Sequence, residues 1–115
     1  MTTNLKKNAK KYLENKFGPM TLGLFLRSLR ETEDISLTEF AAKLGLSRAN
    51  LCDIEKGRKI PTPERASRMA HSLGIPEKVL IQLALQDALR EAKLDYEIEL
   101  RKAVHPTVRW EKGKA

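Results

Sequence analysis

The stretch Ser36 to Gly57, SLTEFAAKLGLSRANLCDIEKG, leaves the chain little freedom in how it folds. Ser36 followed three residues later by Glu39 has the form of a capping box, in which the serine oxygen accepts the Glu39 N–H and the glutamate reaches back, so a helix starts here. Leu37, Phe40, Ala41 and Leu44 recur at i, i+3, i+4 and i+7 and form one apolar stripe, with Thr38, Ala42 and Lys43 on other faces. Gly45 supplies the positive-φ residue that ends the helix. After the hinge residue Leu46, Ser47 caps a second helix whose apolar positions are Leu51 and Ile54, and Gly57 stops it. A connection of about three to four residues around a glycine is too tight for antiparallel packing and imposes a steep crossing, the geometry of a helix-turn-helix.

The second helix devotes only Leu51 and Ile54 to a core, which leaves Arg48, Ala49, Asn50, Cys52 and Asp53 on its other faces. These types suit the edges of bases in a major groove. Arg48 can donate bidentately to guanine, Asn50 pairs with adenine, and Ala49 can lie against a thymine methyl. Arg48, Ala49, Asn50 and Asp53 form the candidate base-reading set. Cys52 is read as a small residue near DNA rather than as a redox sensor.

In their order, Ser36, Phe40, Ala41, Leu44, Gly45, Leu46, Ser47, Leu51, Ile54, Glu55, Gly57 and Pro61 resemble the lambda-repressor-like, Cro-type (XRE family) helix-turn-helix of phage repressors and their bacterial relatives. The likeness covers roughly residues 21–76. It implies five helices around a small core, with the third as reader and double-stranded DNA as partner. Where that family often carries glutamine after the first cap, to brace the reader helix and touch phosphate, this chain has Leu37.

Flanking segments extend the pattern. Thr21 caps a first helix with Leu22, Phe25, Leu26 and Leu29 at helical spacing and Arg27 and Arg30 on its polar side, and Glu31 to Asp34 form an acidic break expected to face away from DNA. After Gly57, the loop Arg58-Lys59-Ile60-Pro61 cannot continue the helix. Such a loop lies along the sugar–phosphate backbone in the fold the resemblance implies, which makes Arg58 and Lys59 phosphate candidates, joined by Lys43, Lys56, Thr38 and Ser47. Thr62-Pro63 opens a fourth helix with proline at the permitted first position; Ala66, Met69, Ala70 and Leu73 face the core, and Gly74 ends it. His71, without an acid at motif spacing, is a structural histidine.

Ile75-Pro76 opens a long last helix, expected to run through residues 76–104. Val79, Leu80, Leu83 and Ala84 can pack on the domain, while Ile81, Leu85, Ala88 and Ala92, continued by Tyr96, form a second stripe that one small core does not bury. A second copy of the chain is the economical cover, because most oligomers have two-fold symmetry; the N-terminal extension is the alternative. Leu94, Tyr96, Ile98 and Leu100 alternate strictly with Asp95, Glu97, Glu99 and Arg101, which is a strand's period. Composition favours continued helix over these residues, with β-augmentation onto another chain as the alternative.

Two terminal segments complete the organisation. Residues 1–20 form a basic extension with Lys6, Lys7, Lys10, Lys11 and Lys16 against Glu14, and Leu5, Tyr12, Leu13 and Phe17 as a sparse apolar face; it is either an arm on DNA or a solvated tail. Residues 105–115 form a basic tail that opens on the stop His105-Pro106 and holds Trp110, a partner anchor or a residue folded back on its own domain. The domain proper is 21–75.

Composition bounds the function. A net charge of +7 suits a polyanionic partner, and the excess sits in residues 1–35 and 36–75, at +3 each, while 76–104 carries −1. One cysteine and two histidines argue against a disulfide framework and a structural zinc site. Neither a signal-peptide core nor the ~18 apolar residues of a membrane span can be found, so a cytoplasmic location is expected. The chain shows no Gly-rich phosphate loop, paired carboxylates or nucleophile–base motif. The expectation is therefore an all-α, non-enzymatic, cofactor-free transcriptional regulator, a repressor that binds a palindromic operator as a homodimer. The alternative is an antitoxin that neutralises a toxic protein partner and autoregulates its own promoter, with residues 79–100 and Trp110 as the partner surface.

Overall fold

The computed structural model describes residues 19–104, in which five helices follow one another: α1 Leu22–Thr32, α2 Leu37–Leu44, α3 Arg48–Glu55, α4 Pro63–Leu73 and α5 Glu77–Glu91. The lysine-rich part of the N-terminal extension, the stop at His105-Pro106 and Trp110 lie outside the described residues. The first four helices start where hydroxyl caps are expected. Thr21, Ser36, Ser47 and Thr62 accept the backbone N–H of Leu24, Glu39, Asn50 and Arg65 at 3.1, 3.1, 3.0 and 3.2 Å.

The core is aliphatic around one aromatic ring. Leu22, Leu26, Phe40, Leu51 and Leu80 are its largest fully buried side chains, and Ala41, Leu44, Ile54, Ala66, Met69, Ala70 and Ala84 complete it. Gly45 takes φ 70°, and the Leu46 N–H reaches back 2.9 Å to the Ala41 carbonyl, which closes α2 and redirects the chain into α3. Gly23 serves a different need: it sets the first turn of α1 against the end of α3. A Cβ there would run into the Ile54 carbonyl oxygen and lie 2.9 Å from that of Glu55. Helix α5 lies mainly along α4 and secondarily along α1.

The expected helix through residue 104 is not found: α5 ends at Glu91. Lys93 takes φ 59°, its N–H bonds the Arg90 carbonyl at 3.0 Å, and the Leu94 N–H bonds the Leu89 carbonyl at 2.9 Å, a Schellman closure built on lysine instead of glycine. The reason is packing. Helices in proteins persist chiefly where one face is buried, and Ala84 is the last buried residue of α5. Residues 94–104 are neither helix nor strand and double back beside α5, held by Gln86, whose amide donates to the Tyr96 carbonyl at 2.7 Å and accepts the Ile98 N–H at 2.8 Å. Val79, expected to pack on the domain, is exposed, while Ile81, expected on the outer stripe, packs partly against the core.

Candidate nucleic-acid interface

Helix α3 is held from behind by three residues at its core side. Leu51 and Ile54 enter the common core, and Glu55 forms a fork with Arg30 of α1: Nε to Oε2 at 2.9 Å and Nη2 to Oε1 at 3.1 Å, while Nη1 reaches the Ile35 carbonyl at 3.4 Å. The Glu55 side chain is only 6% exposed and that of Arg30 19%, so the pair is shielded. Hydrogen bonding to Glu55 raises the Arg30 pKa above the ordinary guanidinium value, ahead of an opposing effect of burial. Arg30 therefore ties the end of α3 to α1. Sequence patterning placed it only on a polar helix side, because nothing local to α1 marks a partner 25 residues away.

Outward from that anchor, the first turn of α3 stands free: Arg48 and Ala49 are exposed. Asn50, Cys52 and Asp53 are half-buried, and the Cys52 thiol is free. Ser47 uses its oxygen as the α3 cap, which leaves its O–H available as a donor. The loop after α3 folds back onto the helix. The backbone N–H groups of Arg58 and Lys59 bond the Asp53 carbonyl at 2.8 and 3.3 Å, the Arg58 Nε meets Asp53 Oδ1 at 3.0 Å, and the Lys59 Nζ donates to Asn50 Oδ1 at 2.8 Å while standing 3.7 Å from Asp53 Oδ2. Candidate base readers Asn50 and Asp53 and candidate phosphate ligands Arg58 and Lys59 thus form one cluster beside Arg48 and Ala49.

The other candidates are more scattered. Thr38 and Lys56 are exposed, and Lys43 pairs with Glu33 of the acidic break at 3.6 Å. Leu37, at the position where the resembling family often carries glutamine, is half-buried against the core. Asp87 of α5, which lines one cavity with Gly57 and Lys59, accepts the Leu22 N–H at 2.9 Å and Arg90 Nη1 at 2.9 Å; burial raises its pKa, against the lowering by those two donors. His71 is exposed and does have an acid partner, Glu77 at 3.3 Å, across the α4–α5 turn; the Ser67 hydroxyl donates to the same carboxylate. Ser67 first, then His71, lowers the Glu77 pKa. Among candidate interface residues, Leu85 is half-buried and Ala88, Ala92 and Tyr96 are exposed.

A family model described as helix-turn-helix matches residues 26–80, from α1 to the start of α5. Over 65 residues the chain is 35% identical to the ImmF control region 10 kDa protein of Bacillus phage phi105, covering 56% of this chain and 72% of that protein. The chain belongs to the helix-turn-helix family. This helix-turn-helix chain is also 29% identical over 83 residues to the HTH-type transcriptional repressor RghR of Bacillus subtilis, covering 70% of this chain and 62% of RghR. A 58-residue match at 34% identity joins it to an uncharacterized HTH-type transcriptional regulator of Mycobacterium tuberculosis, over 50% of this chain and 41% of that one. No solved structure matches the chain. No helix among the described residues is long and apolar enough to cross a membrane.

Proposed function

We propose that this chain is a sequence-specific transcriptional repressor that binds a palindromic operator in double-stranded DNA as a homodimer, with α3 in the major groove. The observation that carries the reading is the arrangement of α3: a shielded Arg30–Glu55 fork behind it, exposed Arg48 and Ala49 in front, and Arg58 and Lys59 at its flank. Arg48 reads guanine and Ala49 a thymine methyl. Asn50 reads adenine once Lys59 moves from its carbonyl to a phosphate, because adenine requires both the donor and the acceptor of the amide. Asp53 accepts from cytosine or remains paired with Arg58. Family membership and a relative named as a transcriptional repressor support the same reading.

Half-buried Leu85 and exposed Ala88, Ala92 and Tyr96 form the face through which a second copy sets the half-site spacing, about one turn or ~34 Å. Selection of binding sites from random duplexes, followed by footprinting, tests the whole reading. A two-fold symmetric motif with both halves protected is expected; the absence of any enriched sequence refutes it. The Arg48→Ala variant should lose preference at one base pair, at about 1–3 kcal/mol against the best site, whereas Lys59→Ala should weaken all sequences alike and flatten the salt dependence. An antitoxin role would use the exposed Leu94, Tyr96 and Val104.

A further inference from the structure

Residues 94–104 leave α5 through the Lys93 turn and run back along it, so that Lys102 comes near enough to Glu77, at the opposite end of that helix, to help lower its pKa. A one-residue turn begins the return, with the Tyr96 N–H on the Leu94 carbonyl at 3.0 Å. Such turns are common at strand ends. Gln86 then holds the Tyr96 carbonyl and the Ile98 N–H as a residue of a parallel neighbouring strand would. Because backbone groups alternate along an extended chain, the N–H and C=O of Glu97 face away from Gln86, and those of Glu99 and Arg101 follow on the same edge. None of these groups has a partner among the hydrogen bonds of the described residues. Leu94 and Tyr96 stand 49% and 70% exposed beside this free edge.

We propose that residues 96–104 pair in antiparallel register with the same residues of a second copy, forming a two-stranded ribbon across the dimer axis centred on Leu100. Charge selects both the occupant and the register. About Glu97 or Glu99 a carboxylate meets its own copy, about Tyr96 Asp95 faces Glu97, and about Ile98 Glu97 faces Glu99. About Arg101 or Lys102 two cations meet. About Leu100, Glu99 of each copy faces Arg101 of the other, Tyr96 faces Val104, and Leu100 meets Leu100. Opposite charges and an aromatic–β-branched pair directly across an antiparallel ladder are the favourable cross-strand combinations. Of these registers it alone sets no acid against an acid and no cation against a cation.

The inference rests on the dimeric reading above, and sedimentation across a concentration series separates the two. Glu99→Arg and Arg101→Glu each replace two attractive contacts by two repulsive ones, and each should raise the dimer dissociation constant about tenfold or more. The double variant Glu99→Arg/Arg101→Glu should restore it. Both side chains are exposed, so circular dichroism should report an unchanged helical domain. In the wild-type dimer the Glu97, Glu99 and Arg101 amides should gain hydrogen-exchange protection that dilution removes. A wild-type protein monomeric throughout the series overturns both readings. A wild-type dimer indifferent to both single variants overturns the ribbon and leaves the helix-mediated dimer standing. Weakening by the singles without recovery in the double overturns the register.

Discussion

Replacing Arg30 by methionine removes the guanidinium while keeping most of the side-chain volume, so its effect isolates the fork that holds α3. Three hydrogen bonds disappear, at 2.9 and 3.1 Å to Glu55 and 3.4 Å to the Ile35 carbonyl. The Glu55 carboxylate, 6% exposed, is left without its partner. Because both groups are shielded, the discount for solvent screening that exposed pairs require does not apply. Breaking a buried ion pair from one side costs about 3–5 kcal/mol, most of it the burden of the stranded charge. At about 4 °C per kcal/mol for a chain of this size, Arg30→Met should lower Tm by roughly 12–20 °C. The double variant Arg30→Met/Glu55→Leu removes the stranded charge as well, and should recover more than half of the loss. Thermal unfolding followed by circular dichroism at neutral pH, with single and double variants side by side, measures both. A single-variant loss under about 1 kcal/mol, or a double variant no better than the single, refutes the argument that the fork anchors α3.

Three further outcomes follow from the geometry. Gly23→Ala should destabilise by at least about 1–3 kcal/mol in denaturant titration, because its Cβ meets the backbone carbonyls of Ile54 and Glu55, which cannot swing aside as a side-chain tip would. Asp87 has a folded pKa raised above its ordinary 3.8, so its ionisation works against folding above the folded value, and that opposition vanishes as pH falls through the folded value toward 3.8. Asp87→Asn, which keeps an acceptor for the Leu22 N–H, should thus be at least as stable as wild type at pH 7 and lose any advantage in acid, whereas Asp87→Ala should be about 1 kcal/mol weaker in thermal melts. Gln86→Ala should speed amide exchange at Ile98 while global stability falls by only about 1–3 kcal/mol, since two exposed or half-buried hydrogen bonds are lost.

Much of the fold can be read along the chain because its signals are local. The hydroxyl caps at Thr21, Ser36, Ser47 and Thr62 and the stops at Gly45 and Gly74 each act within one helical turn, and the apolar spacing of Leu22, Phe40, Leu44, Leu51 and Met69 follows from helical period alone. The same spacing singles out Arg48 and Ala49 as residues the core does not use. Arg58 and Lys59 are visible as basic residues in a loop, but their attachment to Asn50 and Asp53 is not, since the direction of the returning loop is set by packing.

Along α5, local preference and tertiary packing disagree. Residues 77–100 are rich in helix formers, yet the helix stops at Glu91, beyond the last buried position, Ala84, and a lysine accepts the left-handed conformation at the stop. The sequence alone determined the capped helix pair from Ser36 to Gly57 and which residues of α3 the core leaves free, because both depend on contacts within a few residues. Only the tertiary structure decided that Arg30 holds Glu55, that Gly23 admits the carbonyls of α3, and that Gln86 draws residues 94–104 back along α5. Each of these joins residues 10 to 32 positions apart, and no periodicity or cap extends that far.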